Sequence, residues 1–511
     1  MKHPFHNSPT PVGQLALVEQ LGLKQPAPAV QSFIAPSARK TEVTEGVVSE
    51  LYPPQWTPEP SPLGHLKFAL KHEAYDLRII HAALQAIGPK TLQDWIHSEP
   101  TGSYARRAWF LYEQFSDQTL DIQPLKMGNY TPLLNPKQHF VSQAVRIPRQ
   151  RILDNLLGGP NLCPTVRRTS KLQRMIGANL KRQAQALTEQ YDPVTLSRAI
   201  QFLYTKETRS SYAIEGETPS PGRTERFIQT LKRAADFDPN NKAQITQLQG
   251  SIVDPRYAAS DWRDFQNFVG EATRRYGEYI HFICPKPEDV PALMEGWMTL
   301  NQRLYTLPDP VVAAAVSAFA FVFIHPFEDG NGRIHRFMVH HFLARLGFSP
   351  PGLIFPVSAA IVRDVRSYDL ALESFSRPLF DHINWDLTAQ QTLVVHNPTR
   401  DLYRFFDATA QAEYLYERVA DTIRVDLKEE LDFLKIYDAA LAAIREVVDM
   451  PDRKASLLVR LLMQNGGRLS GAKRNQFAEL TDGEVARMET AIGRIIETAK
   501  EANPDSTESG S

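Results

Sequence analysis

Cysteine is almost missing from this chain. Its 511 residues include two, Cys163 and Cys284, with no close pair spacing between them. A disulfide-stapled secreted scaffold is thereby disfavoured, and a reducing compartment favoured. Long apolar runs are missing as well: none reaches the about 18 to 20 residues that cross a bilayer. No charged-then-apolar leader opens the sequence, so the expected location is cytoplasmic; a translocated effector with an uncleaved export signal would read the same way. Charge bias is missing too. With 57 basic and 58 acidic side chains, the chain has no global attraction to nucleic acid or to a membrane surface. Gly88-Pro89-Lys90-Thr91 lacks the glycines that a P-loop requires.

What is present is helical periodicity, and the expected fold class is all-α, mainly helical. Residues 1–63 are broken by Pro26, Pro28, Pro36, Pro53, Pro54, Pro58, Pro60 and Pro62, which predicts an extended arm with one short candidate helix over Leu15 to Leu23. Residues 64–190 read as an N-terminal helical domain with helices over 65–87 and 91–96. Trp109, Tyr112 and Phe115 form an aromatic stripe there that reads as core. Between Phe140 and Arg182 the bases face a single acid, Asp154. They suit nucleic acid, an acidic protein, or an acidic stretch of the same chain. Residues 396–500 form a C-terminal helical domain whose end has the size of a winged-helix module, with Arg468, Lys473 and Arg474 beside Gly466-Gly467. Residues 501–511 have the composition of a disordered tail.

The stretch that carries chemistry lies within 191–395. Val311 to Ile324 is apolar or small throughout and predicts a buried helix. His325-Pro326 ends it, Gly330 and Gly332 bend the chain, and from Ile334 a helical stripe resumes through Met338, Phe342 and Leu346 to Gly347. A glycine loop entering a helix presents unpaired amides and the positive end of the dipole, which suits phosphate. Arg333 and Arg336, three apart, lie on one side of that helix. Asp329 offers a hard oxygen that suits Mg²⁺, and His325 is a side chain able to accept a proton near neutral pH. His335, His340 and His341 look like metal ligands, but no fourth ligand follows at a sensible spacing.

The run His325, Pro326, Phe327, Glu328, Asp329, Gly330, Asn331, Gly332, Arg333, Ile334, His335, Arg336 resembles the signature of the Fic family in full. The resemblance implies a Fic-type helical core with a short β-hairpin flap. It also implies a protein adenylyltransferase that moves AMP from ATP to a Tyr, Thr or Ser hydroxyl of a target protein. His325 would be the base. Asp329, Gly330, Asn331, Gly332, Arg333 and Arg336 would hold the phosphates, with Mg²⁺ on Asp329 and Tyr368 against the adenine. Upstream, Ser211, Glu215 and Gly216 resemble the family's inhibitory motif, whose carboxylate would pair with Arg336. Tyr279, Ile280, His281 and Phe282 look like the flap that docks the target as an added strand. The alternatives are removal of AMP, transfer of another nucleotidyl or phosphoryl group, or a nucleotide-sensing interaction or DNA-binding regulator. The oligomeric state is not legible.

Overall fold

The computed structural model describes residues 9–44, 47–273, 277–390 and 392–502. The chain is mainly helical, with four small sheets among the described residues. No described helix is long and apolar enough to cross a membrane.

The largest core is built around the apolar helix Pro310–Ile324, thirteen of whose fifteen residues are buried. Asp309 starts it, with Oδ1 accepting from the amides of Val311 (3.1 Å) and Val312 (2.9 Å), and proline at the first position costs nothing because that amide has no helical partner. Surrounding it are the helices Val290–Leu304, Asn331–Arg345 and Thr409–Asp421. A helix apolar on every face needs neighbours on every side, which places it at the centre. Upstream, the long helix Pro193–Ala213 is capped by Asp192, and Ser211 sits in its last turn. Buried Glu207 ties this helix to the core: it meets His340 Nε2 at 2.8 Å and accepts from the Ser358 amide at 2.8 Å and the Ser358 hydroxyl at 2.5 Å.

The amino-terminal region departs from expectation. The described residues of 10–52 form a four-stranded sheet instead of an extended arm, while the short helix expected over Leu15 to Leu23 is present as Gly13–Leu21. Strand Val30–Ile34 pairs antiparallel with Thr10–Val12 and parallel with Val47–Tyr52, which pairs antiparallel with Lys40–Thr44. Pro26, Pro28 and Pro36 fall between strands and the other five follow the last strand, where no ladder donor is needed, and Pro11 sits on an edge strand. The expected helix over 65–87 is two, Pro62–His72 and Leu77–Ile87, because the Asp76 carboxylate starts a new helix by accepting from the Arg78 and Ile79 amides.

The basic stretch 140–182 is largely spent inside the chain. Arg149 pairs with Glu113, Arg167 with Asp407, Lys171 with Glu413 and Glu417, and Arg151 donates to three backbone carbonyls. At the other end, helix Lys428–Val447 leads into a separate cluster of Ala455, Leu458, Leu462, Phe477, Met488 and Ile492. That module has no strand among the described residues, so it has no wing, and Arg474 is engaged by Asp482 and two carbonyls. Residues 503–511 lie outside the described residues.

Candidate active site

The apolar helix ends in an unusual turn. His325 takes a left-handed conformation (φ 52°, ψ 58°), one of three non-glycine residues with positive φ among those described. A Cβ crowds its own carbonyl there, so the turn persists only because its surroundings hold it. Gly330 (φ 90°) makes the second bend, and a side chain at that position would also press Val253 at 3.0 Å. Asn331 then staples the loop between the bends: its Nδ2 donates to the Phe327 carbonyl (2.8 Å) and its Oδ1 accepts from the Phe327 amide (3.0 Å). Asn331 is 2% exposed, and both polar atoms of its side chain are spent on shaping the loop. Phe327 plugs into the core against Trp262 and Phe321.

The loop opens onto a cavity of about 680 Å³. His325, Asp329, Gly330, Asn331, Gly332, Arg336, Glu215, His281 and Phe282 line it, and Tyr368 faces them from helix Val365–Ser376. The imidazole Nδ1 lies 3.2 Å from the Val322 carbonyl, which can only accept, so the proton sits on Nδ1 and Nε2 keeps its lone pair. Burial, and then the charge of Arg263, pull the His325 pKa down to about 4, partly offset by the Val322 hydrogen bond and by Asp329. A neutral imidazole with a free nitrogen is a proton acceptor at pH 7.

Arg333 and Arg336 are buried and face carboxylates. Glu215 Oε1 meets Arg336 Nη2 at 2.8 Å, and its Oε2 meets Arg333 Nε at 2.6 Å. Arg336 also donates from Nε to the Ser211 hydroxyl (2.8 Å) and from Nη2 to the Ser211 carbonyl (2.7 Å). Gly332 is what lets the carboxylate in, since a Cβ there would lie 2.5 Å from Glu215 Oε1. Gly216 reverses the chain behind Glu215 with φ 69° and touches none of these groups. Arg333 is fully buried, stacks over Tyr212 and does not line the cavity; Glu217 (3.2 Å) and Asp329 (2.7 Å) complete its shell. Glu217 was not singled out in the sequence. Its signal was there, two residues beyond Glu215, but a second acid next to the first reads as surface charge.

Asp329 Oδ1 accepts from the Gly330 amide (2.5 Å) and from Arg333, while its side chain is 42% exposed. Glu215, Glu217 and Asp329 form the one acidic cluster of metal-binding geometry among the described residues. The histidines of the loop helix do not converge: His335 packs on Phe319, His340 meets Glu207, and His341 donates from Nδ1 to the Ala234 carbonyl.

The hairpin runs from Phe268–Thr273 to Gly277–Ile283, with a bulge between Val269 and Gly270. His281 and Phe282 both line the cavity, and Phe282, 8% exposed, packs on Phe323 and Tyr403 and anchors the hairpin. Tyr279 and Ile280 lie on the same strand, and the side chains of 271–279 fall outside the described residues.

A family model described as Fic/DOC family matches residues 239–343, spanning the hairpin, the apolar helix and the loop. Those residues are a Fic/DOC domain. A curated relative from Culex quinquefasciatus, named Protein adenylyltransferase Fic, is 31% identical over 177 residues, 30% of this chain and 35% of that protein. One of the same name from Nematostella vectensis is 24% identical over 238 residues, 42% of this chain and 56% of that protein. The chain thus spans about a third to a half of the curated relatives it matches. A solved Fic family protein from Desulfovibrio desulfuricans G20 has a TM-score of 0.37 at 18% identity, covering 58% of this chain and 88% of that one. Ser211 and Glu215 precede the segment matched by the Fic/DOC model, so their contact with Arg336 stands on the geometry alone.

Proposed function

We propose that the protein is a protein adenylyltransferase held in check by Glu215. The observation that carries this is the neutral His325, with Nε2 free, on the same cavity as the amides of Gly330 to Gly332 and the Arg336 guanidinium. ATP would lie with its phosphates over the loop and its base towards Tyr368. The target hydroxyl oxygen bonds to the α-phosphorus, the bond to pyrophosphate breaks, and the hydroxyl proton passes to Nε2. Positioning and charge stabilisation supply most of such a rate, with the base worth about 10²- to 10⁴-fold. The donor set suits Mg²⁺, which takes one carboxylate plus phosphate oxygens. Asp329 would hold it, since its exposed carboxylate uses only Oδ1 for the loop, and the ion would neutralise charge gathering on pyrophosphate.

Glu215 occupies both arginines, so a triphosphate seated productively must displace it from Arg336. The target would enter as a strand along the hairpin edge, where main-chain pairing accepts many sequences. Incubation with ATP labelled at the α-phosphate tests the reading: stable label on protein is expected. Label from the γ-phosphate would instead mean a kinase, binding without transfer a sensor, and release of AMP from a modified protein the reverse reaction.

A further inference from the structure

The clamp on His325 leads to a residue outside the signature. Arg263 lies just ahead of the hairpin and is 5% exposed. Its Nε donates to the His325 carbonyl (2.7 Å), Nη1 to that of Phe265 (2.7 Å), and Nη2 to those of Pro285 (2.7 Å) and Ile324 (3.5 Å). Its own amide donates to the Pro326 carbonyl at 2.8 Å. Among the described residues its partners are carbonyls and not carboxylates, which is costly for a buried guanidinium.

The carbonyls of Ile324 and His325 have no helical donor, and a cation there also answers the negative end of the helix dipole. The left-handed turn at His325 is therefore held from its carbonyl side by a rigid fork. Phe265 and Pro285 flank the hairpin on its two sides, so the same fork joins the feet of the hairpin to the histidine backbone.

We propose that Arg263 is a positioning residue for the transfer reaction, setting His325 and the hairpin in one register. This rests on the adenylyltransferase reading. The other charged or titratable groups on the cavity are Glu215 and Glu217 from the upstream segment, His281 from the hairpin, Glu328, Asp329 and Arg336 from the loop and its helix, and Tyr368, Asp369 and Glu373 from helix Val365–Ser376. Of these, Asp329 raises the proton affinity of His325, and Arg263 opposes it.

The test compares Arg263→Gln, which loses charge and fork, with Arg263→Lys, which keeps only the charge, both in the full chain carrying Glu215→Gly. Both variants are expected to bind ATP within about twofold of the parent and to lose kcat, a misplaced base costing up to about 10²-fold. The His325 titration, followed by its imidazole NMR signal without ATP, should move up in the glutamine variant and stay in place in the lysine variant. A folded glutamine variant with parental kcat overturns the proposal. So does a loss of kcat that comes with an equal loss of ATP binding and an unmoved titration. If the glutamine variant does not fold, the lysine variant decides alone, since parental kcat without the fork removes the clamp. Absence of α-label from the parent would fail the adenylyltransferase reading, while the titration would still report on Arg263.

Discussion

Glu215→Gly removes the carboxylate that bridges Arg336 and Arg333. Two charge-assisted contacts are lost, at 2.8 and 2.6 Å, against guanidiniums whose side chains are 2% and 0% exposed. The Arg336 contact is a hydrogen bond between charged groups, worth about 1.5–3 kcal/mol; the Arg333 contact is an ion pair whose N–H does not form a hydrogen bond and adds less. The glutamate side chain is 25% exposed, and each arginine keeps another partner, Ser211 or Glu217, so we expect a net bias of about 2–3 kcal/mol towards the occupied cradle. At 1.4 kcal/mol per decade, removing it raises the population open to productive ATP by about 30- to 150-fold. The assay is the initial rate of protein labelling from α-labelled ATP at saturating ATP. Glu215→Gln is the companion: it keeps the shape and loses the charge, so it should fall between parent and glycine. Labelling of the glycine variant within about twofold of the parent, in a protein that folds and binds ATP, would refute the reasoning.

His325→Ala should retain ATP binding and lose about 10²- to 10⁴-fold in transfer, measured by the same label. Because the folded imidazole titrates near 4, below its ordinary value, it is neutral through pH 7; activity of the free enzyme should fall only as pH drops through about 4, read from kcat/KM against pH. Asp329→Asn keeps the acceptor for the Gly330 amide and loses the charge, so labelling should drop about 10²-fold and its Mg²⁺ requirement rise; a chelator should abolish labelling in the parent. Glu73, buried behind the amide of Gln14, has its carboxyl pushed up from 4.5 to about 7 by burial. The unfolded chain releases that proton first, so stability should fall as pH rises from about 4.5 to 7 by up to about 3 kcal/mol; Glu73→Gln should flatten this slope in urea melts at several pH values.

The helix–loop–helix, its proton acceptor and its phosphate-facing loop were legible in the sequence because they are local. Fourteen apolar residues, two glycines and two arginines at a spacing of three act within a few turns of one another. The upstream motif was legible as a pattern, but its partners were not: Ser211 and Arg336 are 125 positions apart, and only packing decides which guanidinium a carboxylate reaches. The proline-rich segment misled for a related reason. Proline forbids helix and interior strand locally, yet these positions fall between strands or after the last one, and the sheet packs through Val12 and Tyr52 on Phe68, which lies in a later helix.

By itself the sequence determined the apolar rod, the bend that follows it and the chemical groups set around that bend, since each depends on backbone preference and short spacing. Tertiary structure decided which charges meet. It placed Glu215 and Glu217 on the arginines, spent the basic stretch on internal acids, and laid the unpaired Arg263 against the carbonyl of His325. Burial strengthens a charge's interactions and forbids it to stand unsatisfied, and burial is a property of the assembled chain.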